Sequence, residues 1–279
     1  MLVITIERGI ELYCFNDYLT SAEYIKKKIT VAPEIAIILG TGLGMYVSNL
    51  DGRQDIYYNE IPLFPNSNKN NDSYLSFGQI GNKDVLIQNG NFYYYEGHSF
   101  ETSVYPIRVY KLLGIKTIII SCAVGGINKS FKCGDLVVIN DHIKFFGDSP
   151  LRGVNIPEFG DRFVDMSQAY SQRLIQAAEL INPKIKKGSY AFMPGPNFET
   201  PLEINVLRTW GADVVGMAVI PDVITAVHAG IEVMVISHIS SMAAGVTNKS
   251  PVSHTKSKPA NTKTFQSFIN FINEIIQLI

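Results

Sequence analysis

The run Ile37-Ile38-Leu39-Gly40-Thr41-Gly42-Leu43-Gly44 is an apolar strand that empties into a glycine-rich turn. β-Branched residues favour the extended chain, and glycine lets the backbone N–H groups of the turn converge on one point, where an anion fits. The Thr41 hydroxyl adds a donor there. Taken alone, the run also reads as a tight turn with no ligand. A dinucleotide-binding turn needs G-x-G-x-x-G opening a helix, then an acidic residue about 20 positions later. Here the spacing is G-x-G-x-G, and the chain continues into Tyr57-Tyr58-Asn59-Glu60-Ile61-Pro62, which disfavours that reading.

Working outward, short apolar runs alternate with segments of helical period. Ile35 to Leu39, Val85 to Gln88, Thr117 to Ser121, Leu136 to Ile139 and Val233 to Ser237 read as buried strands bounded by turn residues. Ser103 to Leu113, Gln168 to Ile181, Pro201 to Trp210, Pro221 to Gly230 and Thr264 to Ile279 read as helices. Thr200-Pro201 is a helix start, with a capping hydroxyl, Pro at the first position and Glu203 in the first turn. This alternation predicts an α/β fold with a parallel or mixed sheet covered on both faces. No repeat or linker divides residues 1–279, so one domain is expected. Two polar stretches, Asn66 to Asp72 and Thr247 to Lys263, read as loops of the kind that cover sites.

Composition narrows the function. Of 279 residues, 46% are hydrophobic and 18% charged, which supplies a large core. A net charge of −1 carries no electrostatic footprint for nucleic acid or an anionic membrane. Lys26-Lys27-Lys28 reads as a solvated helix face. Three cysteines, Cys14, Cys122 and Cys133, form no C-x-x-C pair, so neither a disulfide framework nor a zinc site is expected and a reducing compartment fits. No run of about 18 uninterrupted apolar residues occurs, and no leader pattern opens the chain. A cytoplasmic protein without a metal or organic cofactor is the expectation.

Several further segments, taken with the glycine run, resemble one family. They are Tyr95-Glu96-Gly97; Gly125-Gly126-Ile127-Asn128; Gly134-Asp135-Leu136 with Asp141-His142-Ile143; Pro150-Leu151-Arg152-Gly153; Phe159-Gly160-Asp161-Arg162-Phe163; Gly195-Pro196-Asn197-Phe198-Glu199-Thr200; and Gly211-Ala212-Asp213-Val214-Val215-Gly216-Met217. In this order and near this spacing they resemble the trimeric purine nucleoside phosphorylases and the related methylthioadenosine phosphorylases. The resemblance implies one α/β domain around a distorted mixed β-sheet flanked by helices, assembled as a homotrimer. It also implies attack of phosphate on C1′ of a purine nucleoside, giving free base and ribose 1-phosphate.

That reaction needs charge stabilised on the departing purine, an oriented sugar and a nucleophile held under C1′. On the resemblance, Glu199 bonds the pyrimidine edge of the base and Phe198 packs on its ring; outside the motif, a carboxylate at a helix start is usually a cap partner. Phe159 corresponds to an aromatic lent across the trimer interface, although a lone Phe is ordinarily core. The family's Asn or Asp at the purine N7 falls on Ser241, within Ser237-His238-Ile239-Ser240-Ser241. A serine offers no amide donor, so the base differs, a water bridges, or His238 or Ser240 compensates. Tyr95 and Met217 match the ribose contacts. His254 falls near the position that meets the 5′-hydroxyl and equally suits a solvated histidine.

The phosphate positions depart from the pattern. Where the family has Gly-Arg-x-His-x-Tyr-Glu-Gly, this chain has Gly90-Asn91-Phe92-Tyr93-Tyr94-Tyr95-Glu96-Gly97, and the serine after Gly-Met is Ala218. Thr41 and the backbone amide near Ala123 remain as donors. Charge-assisted hydrogen bonds contribute about 1.5–3 kcal/mol each, so losing two weakens phosphate binding by roughly two to four powers of ten. Arg108 lies in a helical run and is no substitute. Three readings stay open: a phosphorylase with an altered phosphate site, a nucleoside hydrolase using water, and a non-catalytic nucleoside-binding protein.

Overall fold

The computed structural model describes residues 13–40, 42–65, 73–247 and 262–279. At its centre is β1 (Ile35–Ile38), buried along its whole length. It lies parallel to β4 (Lys83–Asn89) and β5 (Thr117–Gly126), with Ile37 opposite Ile87 on one side and Ile119 on the other. β2 (Asp51–Tyr57) and β3 (Tyr74–Ile80) continue the sheet beyond β4 as an antiparallel arm. The register of β2 on β3 shifts between Asp51 and Gln54.

On its other side the sheet closes. β5 pairs in parallel with β9 (Glu232–Met242) from Thr117 to Gly126, and antiparallel with β8 (Val214–Gly216) at Gly125 and Gly126. β8 pairs with β7 (Lys186–Phe192), β7 with β6 (Leu136–Ile143), and β6 returns to β9. The expected distorted mixed sheet is thus a four-stranded arm joined to a closed five-stranded ring. β5 belongs to both. Thr117 to Ile120 lie between β1 and β9; β1 then ends, and the last residues of β5 lie between β8 and β9.

Helices cover the arm and the ring. α1 (Phe15–Lys28) buries Tyr18, Ala22 and Ile25, a stripe at spacings of four and three, and leaves Lys26, Lys27 and Lys28 exposed. The helix expected over Ser103 to Leu113 is two, α2 (Phe100–Ser103) and α3 (Tyr105–Leu113), parted at Val104 where Pro106 lacks the N–H to continue the ladder. α4 (Gln172–Ile181) begins four residues later than expected, because Ser171 caps it by accepting from the Leu174 N–H. α5 (Pro201–Thr209) starts as read, with Thr200 and Glu203 capping each other. α6 (Ile220–His228) and α7 (Thr262–Leu278) complete the layer. No helix among the described residues is long and apolar enough to cross a membrane. The two polar stretches read as covering loops lie outside the described residues, apart from the ends of the second.

The strand-to-turn junction at Gly40 is held against β5. The Gly40 N–H donates to Ser121 Oγ at 2.9 Å, and that hydroxyl donates to the Ile38 carbonyl at 3.1 Å. A Cβ on Gly40 would lie 2.6 Å from the Ser121 carbonyl oxygen and 2.9 Å from Cys122 Cα, backbone atoms that cannot yield. Gly40→Ala is expected to cost about 1–3 kcal/mol of stability through overpacking; urea denaturation measures it, and an unchanged midpoint would refute the packing constraint.

Candidate active site

A cavity of about 320 Å³ opens at the carboxyl ends of β1 and β5, where β5 exchanges β1 for β8 as its neighbour. Open α/β sheets bind ligands at such a change of partners, because the diverging loops leave a crevice there. Segments far apart in the chain supply its wall: Gly40 and Gly42, Asn91 to Tyr95, Ser121 to Gly125, Phe198 and Glu199, Gly216 to Val219, and the end of β9.

One end carries Phe198 and Glu199, placed by the turn that leads into α5. Phe198 is 40% exposed, while Glu199 is 9% exposed and burial pushes its carboxyl above the ordinary range, with the charge of Glu203 adding to the effect. This turn packs on Met217. Gly195 has φ +64°, and a Cβ there would lie 2.4 Å from Met217 Sδ, so only glycine lets the two segments approach this closely.

The other end is neutral and internally bonded. Tyr110 donates to Gln88 Oε1 at 2.6 Å, and Gln88 Nε2 donates to Asn91 Oδ1 at 2.9 Å. Asn91 Nδ2 donates in turn to the Leu39 carbonyl at 2.8 Å and to the Tyr93 hydroxyl oxygen at 3.1 Å. The Asn91 amide is therefore spent within the chain. Tyr93 stacks on Tyr95 with centroids 4.9 Å apart and planes 10° from parallel, and burial raises the Tyr95 hydroxyl above its ordinary range. Ala218 also lines the cavity, and its N–H faces the Tyr190 hydroxyl at 3.4 Å.

Of the residues singled out in the sequence, Glu199, Ser241, Tyr95, Phe198, Met217, Ala123, Asn91, Tyr93 and Ala218 all line this cavity. Thr41 and His254 lie outside the described residues. Phe159 is a correction. At 3% exposure it has no surface to lend to a neighbouring chain. It packs edge-on against Tyr18 at 5.4 Å and near Phe15, with the Arg108 guanidinium 5.6 Å from its ring. Arg108 also donates to the Tyr18 hydroxyl at 2.9 Å, which places it in this aromatic cluster and away from the cavity. Gln88, Asp222 and Cys122 are among the lining residues that were not marked as site residues in the sequence. Gln88 was visible as the polar end of an apolar strand, and Asp222 as an acid in the first turn of a helix; Cys122 had no mark beyond its place near the glycine turn. Burial pushes the Cys122 thiol up to about 12, so it is no nucleophile.

The Phosphorylase superfamily model matches residues 34–276. A purine nucleoside phosphorylase 1 from Geobacillus stearothermophilus is 41% identical over 262 residues, which cover 92% of this chain and 95% of that protein. The chain belongs to the purine nucleoside phosphorylase family. Solved structures of the family superpose closely. The Schistosoma purine nucleoside phosphorylase in complex with hypoxanthine is 34% identical with a TM-score of 0.90, over 95% of this chain and 97% of that one. Isoform 2 from Schistosoma mansoni, in complex with cytosine and ribose-1-phosphate, is 36% identical with a TM-score of 0.90, over 94% and 96%.

In this family member the neutral end also holds Asp222, whose carboxyl burial pushes up to about 7. The unfolded chain releases this proton near the ordinary Asp value of about 4 and the folded chain keeps it until about 7. The folded state therefore binds more protons in that interval, and stability falls as pH rises through it. Asp222→Asn is expected to flatten this dependence, with less loss of unfolding free energy between pH 5 and pH 8 than in the wild type. Urea denaturation at the two pH values tests it, and equal slopes in both proteins would remove the titration from Asp222.

Proposed function

We propose that the protein is a pentosyltransferase that cleaves the N-glycosidic bond of a purine ribonucleoside or deoxyribonucleoside with phosphate, releasing the base and the sugar 1-phosphate. The observation that carries this is the convergence of six separated segments on one cavity, which brings a buried acid and an exposed aromatic together with the glycine turn. The relatives named purine nucleoside phosphorylase favour phosphorolysis over the hydrolytic and binding-only readings.

Each residue then has a task. Phe198 packs on the purine ring, and Glu199 hydrogen-bonds its pyrimidine edge as charge develops on the departing base. Tyr95 and Met217 hold the sugar, and Ser241 faces the base from β9. Thr41, the Ala123 segment and the Tyr93 hydroxyl meet the phosphate. Asn91 orders that end without contacting the anion, because its amide is already bonded to Leu39, Gln88 and Tyr93. Ala218 supplies no side-chain donor there, and His254 meets the 5′-hydroxyl. No metal takes part; phosphate is the co-substrate. We assign residues 1–279 to one domain of a cytoplasmic homotrimer.

With Asn91 and Tyr93 where the family carries arginine and histidine, the KM for phosphate is expected to be high, while base release still depends on the anion. Chromatography of inosine, guanosine, adenosine and xanthosine reactions, with and without phosphate, should show ribose 1-phosphate formed only with it. Free ribose at equal rate without phosphate would make the enzyme a hydrolase, and no release from any nucleoside would make it a binding protein. Glu199→Gln should lower kcat/KM by about 10²–10³; a wild-type value would displace Glu199 from the base.

A further inference from the structure

Gln88, near the end of β4, is 4% exposed and lines the cavity, yet both N–H groups of its amide are committed within the chain. Nε2 donates to the Gly90 carbonyl at 3.1 Å and to Asn91 Oδ1 at 2.9 Å, and Oε1 accepts from Tyr110 at 2.6 Å. Two backbone carbonyls decide which way the amides face. A carbonyl only accepts, so Gly90 fixes the Nε2 side of Gln88, and Leu39 fixes the Nδ2 side of Asn91. Reversing either amide would set oxygen against oxygen. Gln88 Oε1 is left to Tyr110, and Asn91 Oδ1 to Gln88. Asn91 Nδ2 then also reaches the Tyr93 oxygen, at 3.1 Å. The relay therefore has one direction: Tyr110 gives to Gln88, Gln88 to Asn91 and Asn91 to Tyr93.

That direction decides what Tyr93 shows the cavity. Its ring is clamped by the parallel stack on Tyr95, so rotation of the O–H is the freedom that remains. A hydroxyl whose oxygen accepts from Asn91 carries its proton on the side away from Asn91. Each hydrogen bond in such a chain polarises the next, which strengthens the last hydroxyl as a donor. An anion needs donors, and the described residues that line the cavity include no lysine or arginine.

We propose that Gln88 is a positioning residue for phosphate: by donating to Asn91 Oδ1, it holds the Asn91 amide in the orientation that makes the Tyr93 hydroxyl a donor to the anion. The inference deepens the phosphorolytic reading above and rests on it. Gln88 acts through Asn91 and Tyr93 and does not itself touch phosphate, because its two N–H groups are committed.

The test is a double-mutant cycle on the KM for phosphate, in the wild type, Gln88→Met, Tyr93→Phe and the double variant, with whichever of the four nucleosides above is cleaved fastest. Tyr93→Phe removes a hydrogen bond to a charged group and should raise this KM by about tenfold or more. Gln88→Met keeps the length of the side chain and removes its donors; it should raise the KM by about three- to tenfold, with the KM for the nucleoside unchanged. In the double variant Gln88→Met should add nothing to Tyr93→Phe, since its effect passes through that hydroxyl. Asn91→Ala, which breaks the relay one step later and leaves β4 intact, should raise the KM by a similar factor to Gln88→Met. A KM is independent of how much of a variant folds, so a packing role alone would lower the apparent kcat and leave the KM for phosphate where it was. An unchanged KM in Gln88→Met, or additive effects in the double variant, would overturn the assignment. Calorimetric titration of inorganic phosphate into the full chain separates this result from the functional reading. No phosphate-dependent cleavage would sink that reading, while phosphate binding that weakens in Gln88→Met, and no further in the double variant than in Tyr93→Phe, would still support the role of Gln88. No phosphate binding to the wild type, or equal binding to Gln88→Met, would overturn it.

Discussion

Strand β5 has to serve two parts of one sheet. Its first residues complete the arm beside β1, and its last complete a ring with β8 and β9. A strand cannot hold two neighbours on one edge, so β1 must stop where β8 begins. The gap between them cannot be filled by backbone pairing and becomes the crevice. The glycine turn after β1, the segment after β4, the turn before α5 and the end of β9 converge there because each leaves the sheet at this discontinuity. The Gly40 to Ser121 contact fixes the near side of the gap. On the far side, Asn128 Nδ2 donates to Asp213 Oδ1 at 2.7 Å and Ser189 N–H to Asp213 Oδ2 at 2.9 Å, which ties β5, β7 and β8 together.

Within that crevice, polarity is distributed unevenly. The end near β1 and β4 has replaced cationic side chains with a chain of neutral hydrogen bonds running Tyr110, Gln88, Asn91, Tyr93. Such a chain orders side chains without contributing net charge, so any anion admitted there relies on dipoles and hydroxyls. The opposite end combines a half-exposed aromatic with an acid that burial shifts towards its neutral form. Both ends are thus tuned by desolvation more than by ion pairing.

The sequence revealed those parts whose signal is local. β1, β4, β5, β6 and β9 contain short runs rich in β-branched residues, bounded by turn residues and buried on both faces, which is the signal of a central strand. β8 is three residues long, β2 is polar and β7 opens on two lysines, so none shows a strand period. The cavity was legible where a motif carried it, as at Phe198, Glu199 and Met217. It was not legible where the answer depended on partners elsewhere. The state of Asn91 is decided by Leu39 just after β1 and Gln88 on β4, and the burial of Phe159 by Phe15 and Tyr18 on a helix of which the sequence reading marked only the lysine end.

The closed ring also bears on how the protein behaves at high concentration. Ring closure satisfies both edges of β6, β7, β8 and β9, and the arm leaves β2 as the open edge among the described strands. That edge is poorly suited to recruit a second chain. It is broken by the shift near Gly52, which has φ +62°, and it carries the Arg53–Asp55 ion pair. A kinked, charged strand offers no continuous row of backbone groups for cross-chain pairing. The large sheet thereby avoids templating its own aggregation.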